Sequence, residues 1–138
     1  MTIVEACESK TNTTPEFPMG WYSVARSSEL LVGEVQSVQA FDRELVLYRT
    51  RSGVPVIQDA YCPHLGAHLG VKGRVVGESI RCPFHGWRYG TDGMCEHIPY
   101  SDEIPDRARL RTWHCEEKNG EVYIWFHREN TGPQWELP

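Results

Sequence analysis

No stretch of the 138 residues approaches the run of about 20 consecutive apolar residues that a bilayer-spanning helix needs, so no membrane span is expected. Basic charge is not in excess either. Fourteen Lys and Arg against 19 Asp and Glu leave a net charge of −5, which argues against nucleic acid or an anionic membrane as the main partner. Residues 1–16 have neither the basic start nor the apolar middle of an export signal. An even cysteine count is also missing: there are five, which fits poorly with a secreted disulfide framework. Together these features predict a cytoplasmic setting, in which Cys mixed with His points towards metal. Finally, no run of about ten residues holds a 3.6-residue apolar period, and no segment repeats, so helical bundles and solenoids are excluded.

What is present is short and β-like. Apolar residues make up 40% of the chain and charged residues 24%, an ordinary balance for one globular domain. Five Trp, six Tyr, 12 Gly and nine Pro suggest brief strands joined by many turns. The pattern predicts strands near 21–26, 35–41, 44–50, 54–59, 79–82, 87–89, 110–115 and 121–127. Arg51-Ser52-Gly53 and Thr91-Asp92-Gly93 read as turns, and Asn119-Gly120 is a strong two-residue hairpin signal. The expected organisation is a flexible arm over 1–16, one domain over 17–128 and a linker-like tail over 129–138. Trp135 and Leu137 would be awkward on a free tail, so both are expected to dock.

Two Gly- and Pro-containing loops interrupt the strands, and each carries one Cys and one His. The first holds Cys62-Pro63-His64, the second Cys82-Pro83-Phe84-His85, with seventeen residues between His64 and Cys82. Two thiolates and two imidazoles suit either zinc or a mixed-ligand iron–sulfur cluster. The order of ligands separates these. Finger-like zinc sites pair Cys with Cys and His with His, whereas here each loop supplies one of each. From Cys62 to Cys95 four basic residues face two acidic ones, so a mildly basic segment holds the candidate ligands within an acidic chain. Its Lys72, Arg74, Arg81 and Arg88 are candidates for steering an acidic redox partner.

The stretches Cys-Pro-His-Leu-Gly-Ala-His-Leu-Gly at 62–70 and Cys-Pro-Phe-His-Gly-Trp-Arg-Tyr at 82–89 resemble the Rieske boxes of ring-hydroxylating oxygenases. The flanks at 17–22 and 122–126 are similar to the N-terminal domain of their large subunits, nearest to oxygenases acting on steroids and similar hydrophobic rings. The resemblance implies an all-β, Rieske-like fold of three small antiparallel sheets with a two-loop cluster-binding subdomain. It implies a Rieske-type [2Fe–2S] cluster held by Cys62, His64, Cys82 and His85, with the His nearer the surface than the Cys. The function implied is one-electron transfer from a reductase or ferredoxin to a mononuclear non-haem iron oxygenase domain, as the redox component of an oxidoreductase. A stand-alone Rieske ferredoxin is the alternative, and a structural zinc module the remaining one. Gly66 and Gly86 are expected either to bring backbone N–H groups to the cluster sulfurs or simply to allow tight turns. Trp87 and Tyr89 are expected to pack beside the cluster. High-potential respiratory Rieske proteins carry an extra Cys in each box, joined as a disulfide. Ala67 and Phe84 stand at those places, which implies a potential at the low end of the Rieske range.

The other candidate residues receive plainer readings. His68 is expected to be a solvent-facing neighbour of the first box, and His97 to be structural. Cys7, Cys95 and Cys115 are expected as free thiols, the last packed in a sheet. His114 and Glu116, with His127, have a spacing that could suggest a two-His, one-carboxylate site. Their place beside Asn119-Gly120 favours a polar hairpin end, and no catalytic mononuclear iron site is expected.

Overall fold

The computed structural model describes residues 17–138, so the expectations for residues 1–16, including Cys7, lie outside the described residues. Eleven strands and one 3-10 turn follow one another: β1 (Gly20–Arg26), the turn Ser27–Glu29, β2 (Val35–Ala40), β3 (Arg43–Arg49), β4 (Pro55–Asp59), β5 (Arg74–Val76), β6 (Ser79–Arg81), β7 (Arg88–Tyr89), β8 (Cys95–His97), β9 (Thr112–Trp113), β10 (Cys115–Lys118) and β11 (Glu121–Phe126). They form three antiparallel sheets, ordered β1-β11-β10, β2-β3-β4-β9 and β5-β6-β7-β8. The all-β, three-sheet architecture expected from the sequence is the one found. Among the described residues no helix is long and apolar enough to cross a membrane.

The strands follow from alternation and turn chemistry. In β11, Val122, Ile124 and Phe126 turn into the core, Trp125 is buried on the other face against Trp21 and Trp135, and Glu121 and Tyr123 are only half-buried. Asn119 (φ 54°) and Gly120 (φ 81°) make the β10–β11 turn, both left-handed as a two-residue hairpin requires. The β2–β3 turn uses Phe41 (φ 56°) and Asp42 (φ 58°), an unusual choice because a bulky residue strains in that region. Packing offsets the strain. The Phe41 ring stacks on Phe126 at 4.4 Å between centroids and takes edges from Phe17 and Tyr22. The run expected as one strand over 110–115 is divided: β9 pairs with β4 in the second sheet, and after exposed His114 the chain passes into β10 of the first.

Two cores result. One lies between the first two sheets and contains Leu45, Leu47, Ile57, Trp113, Val122 and Ile124. The other lies under the third sheet and includes Val46, Tyr48, Ile80, Tyr89 and Leu110, together with Cys62 and Cys82. Buried Arg49 ties the layers together. It donates to the carbonyls of Leu30 and Gly53 and forms a two-pronged pair with Glu117 at 3.0 and 2.7 Å. Residues 129–138 fold back over the first sheet: Trp135 packs edge-on against Trp125 at 4.9 Å, its carbonyl accepts from Trp21 Nε1, and Leu137 is buried.

Candidate metal centre

The third sheet presents two loops side by side. Loop one follows β4, and loop two joins β6 to β7. They are built to one backbone plan. In the first, the Gly66 N–H donates to the Cys62 carbonyl (2.8 Å) and the Cys62 N–H to the Ala67 carbonyl (2.8 Å). In the second, the Gly86 N–H donates to the Cys82 carbonyl (3.2 Å) and the Cys82 N–H to the Trp87 carbonyl (2.8 Å). Each loop therefore runs Cys, Pro, two further residues, Gly, and closes on its own cysteine. Gly66 (φ 79°) and Gly86 (φ 78°) take the left-handed conformation that this closure demands. The N–H groups of both glycines close the turns.

The same plan places the side chains. Both cysteines sit where the loops leave the sheet and are buried, at 2% and 3% exposure. The histidines, two residues after Cys62 and three after Cys82, lie on the outer part of each turn. His64 is half-buried and His85 exposed, and their rings are 5.1 Å apart between centroids. Sulfur donors thus lie inside and nitrogen donors at the rim. Among the described residues no three His, Cys, Asp or Glu side chains converge as one ion would require.

Neighbouring groups hold this arrangement. The Trp87 indole lies flat on the His64 imidazole, 4.1 Å away and 7° from parallel, and Trp87 Nε1 donates to the Tyr100 hydroxyl at 2.7 Å. Tyr89, wholly buried, places its hydroxyl 3.1 Å from Cys62 Sγ. A hydrogen bond from Cys82 pulls the Cys62 thiol below its ordinary range, helped by the bond from Tyr89, and the same contact pushes Cys82 up. A metal held by both sulfurs would displace the thiol protons they carry. Burial raises the Tyr89 phenol, so it remains a neutral donor. Burial likewise raises Cys95, whose side chain packs in the core beneath the cluster sheet.

His68 differs from the sequence expectation. It is not solvent-facing: Nδ1 accepts from the Gly70 N–H at 2.9 Å, leaving Nε2 to donate to Glu44 on β3 at 3.2 Å, and its side chain is mostly buried. The imidazole pins loop one to the second sheet. His97 sits on β8 opposite Arg88. Cys115 is half-buried and directs Sγ at the Pro55 carbonyl, while His127 Nδ1 accepts from the Glu129 N–H. Sequence reasoning missed the His68–Glu44 strut and the Trp87–His64 stack. A signal existed for the first in the His68-x-Gly70 spacing, but none for its partner on a distant strand.

Residues 20–114 match the family model of the Rieske [2Fe-2S] domain. The chain belongs to that family. Among curated relatives, cholesterol 7-desaturase nvd of Drosophila melanogaster is 44% identical over 125 residues, covering 90% of this chain and 29% of the relative. The oxygenase component of 3-ketosteroid-9-alpha-monooxygenase from Rhodococcus rhodochrous is 38% identical over 121 residues, covering 88% of this chain and 31% of its own. The chain therefore spans less than a third of these relatives. Among solved structures, NdmA of Pseudomonas putida CBB5 superposes with a TM-score of 0.71 at 29% identity over 79% of this chain and 34% of that one. Dicamba monooxygenase bound to dicamba gives 0.72 at 27% identity over 86% and 36%. The likeness is thus to the Rieske domains of oxygenases, as the boxes implied, and a Rieske domain implies a [2Fe–2S] cluster. The donors present here fit one: two buried sulfurs for one iron and two rim imidazoles for the other.

Proposed function

We propose that Cys62, His64, Cys82 and His85 hold the Rieske [2Fe–2S] cluster, and that the chain carries single electrons to a mononuclear non-haem iron oxygenase centre. The observation that carries this reading is the sorting of donors in depth, with paired thiols inside and paired imidazoles at the surface. When bound, such a cluster accepts one electron at a higher potential than an all-cysteine one, because it is neutral when oxidised and gains a single negative charge. The protein does the rest. Trp87 fixes the plane of His64, Tyr89 donates to Cys62, and the exposed edge of His85 offers contact to a partner. Electrons come from a reductase or ferredoxin in a reducing, cytoplasmic setting. The names of the curated relatives support a sterol-type substrate for the oxygenase centre that receives them. The limited share of those relatives that this chain covers supports a role as the Rieske portion of a larger oxygenase.

The test is analytical. Purified protein should be red-brown, with about two irons and two sulfides per chain and a reduced EPR signal of lower average g than all-cysteine clusters. His64→Ala or His85→Ala should abolish or convert that signal. A colourless preparation with stoichiometric zinc would remove the proposal in favour of a structural zinc module.

A further inference from the structure

Where the first two sheets meet, two arginines stand together without a counter-charge. Arg111, just before β9, lies over the indole of Trp113 with its Cζ 3.7 Å from the ring centroid, and Arg43 of β3 approaches the same ring at 5.6 Å. Cation–π contact favours both placements, but a ring offers no lone pair to the five N–H donors of a guanidinium. Arg111 Nε is buried and has no hydrogen-bond partner. Burial pulls the Arg111 guanidinium below its ordinary value, and the like charge of Arg43 pulls it further; only Asp59 opposes this. Asp59 Oδ1 is itself taken by Trp113 Nε1 at 2.9 Å. Among the described residues no carboxylate lies within ion-pair distance of Arg43 or Arg111.

Both arginines line an open cleft of about 430 Å³. Its apolar wall is Phe17, Phe41 and Phe126. Arg128 and His127 add polar groups, and Asp42 is the one carboxylate, so three guanidiniums face a single negative charge. His127 Nδ1 accepts from the Glu129 N–H, which leaves Nε2 as the N–H donor of that ring. Phe41 (φ 56°) and Asp42 (φ 58°) hold a left-handed turn at this wall, and backbone strain of that kind gathers at ligand sites.

We propose that this cleft binds a small organic carboxylate on a flat apolar body, with Arg43 and Arg111 holding the carboxylate and the phenylalanine rings holding the body. A carboxylate matches the planar fork of a guanidinium and supplies the acceptor that the protein itself withholds. The aromatic wall adds contact that an inorganic anion does not use, which is the usual make-up of a small-molecule site: apolar lining with a few convergent polar groups. The cleft borders the core between the first two sheets, whereas Cys62 and Cys82 belong to the core under the third. The proposal therefore stands apart from the cluster reading, and it involves binding alone.

Naphthoate is the probe, titrated into the purified protein and followed by calorimetry and by heteronuclear NMR. It should bind saturably, with backbone amide shifts gathered at residues 41–43, 111–113 and 126–128. Naphthylmethanol keeps the rings without the charge, and inorganic phosphate keeps charge without the rings. Each should bind at least about tenfold more weakly than naphthoate. Arg43→Gln, at an exposed position that leaves the core intact, should weaken naphthoate at least about fivefold, and Arg43→Glu more than that. Absence of saturable naphthoate binding below about 10 mM, or amide shifts gathered elsewhere, would overturn the site. Unchanged affinity in Arg43→Gln would do the same, and equal affinity for phosphate or for naphthylmethanol would overturn the assigned class of ligand.

Discussion

Replacing Tyr89 with Phe removes one hydroxyl and leaves the ring, so its effect on the cluster follows from a single contact. The hydroxyl lies 3.1 Å from Cys62 Sγ, and the residue is fully buried. An iron-bound thiolate has no proton to give, so the phenol donates. Reduction places more negative charge on the sulfur and strengthens that bond. A hydrogen bond contributes about 1 kcal/mol when neutral and about 1.5–3 kcal/mol to a charged group. The part gained on reduction is therefore of order 1 kcal/mol. For a one-electron couple a tenfold change in equilibrium is about 59 mV, or 1.4 kcal/mol, so Tyr89→Phe should lower the midpoint by about 40 mV. Potentiometric titration followed by EPR reads this directly, with wild type and variant at one pH. An unchanged or raised midpoint, with the spectrum intact, would refute the reasoning.

Three further outcomes are expected. The wild-type midpoint should lie near about −150 mV, because Ala67 and the exposed Phe84 cannot supply the disulfide of high-potential Rieske proteins; voltammetry giving about +300 mV would contradict this. Glu117→Gln should lose about 1–2 kcal/mol near neutral pH, after allowance for part exposure. The bond from Arg49 lowers the Glu117 carboxyl from 4.5 to about 2, so its contribution is full above pH 4.5 and vanishes as pH falls through about 2. Denaturation of both proteins from pH 7 down to pH 2 checks the convergence. Trp135→Ala should destabilise the fold by about 1–2 kcal/mol by removing its packing on Trp125, while leaving the visible spectrum unchanged.

Much of this protein is legible in local sequence. The two boxes carry their own geometry, since Cys, Pro and Gly at matching offsets close each loop on itself through bonds no more than five residues long. Asn119-Gly120 announces its hairpin, and the short apolar runs of β3, β4 and β11 announce their strands. Other features depend on register, which local rules do not reach. Phe41-Asp42 has no turn chemistry to betray it, and it forms a hairpin because the aromatic cluster of Phe17, Tyr22 and Phe126 receives the ring. His68 in loop one meets Glu44 on the second sheet, and Arg49 meets Glu117 across two sheets. Tyr89 reaches Cys62 across 27 residues of chain. Arg74, Arg81 and Arg88 are spaced along the sequence as ordinary surface charges, and only strand pairing sets them side by side. The sequence by itself determined which side chains are offered as donors, the Cys and His of the two boxes. The tertiary structure decided what surrounds them, because burial, stacking and charge opposition arise between residues that neighbour one another only once the strands have paired.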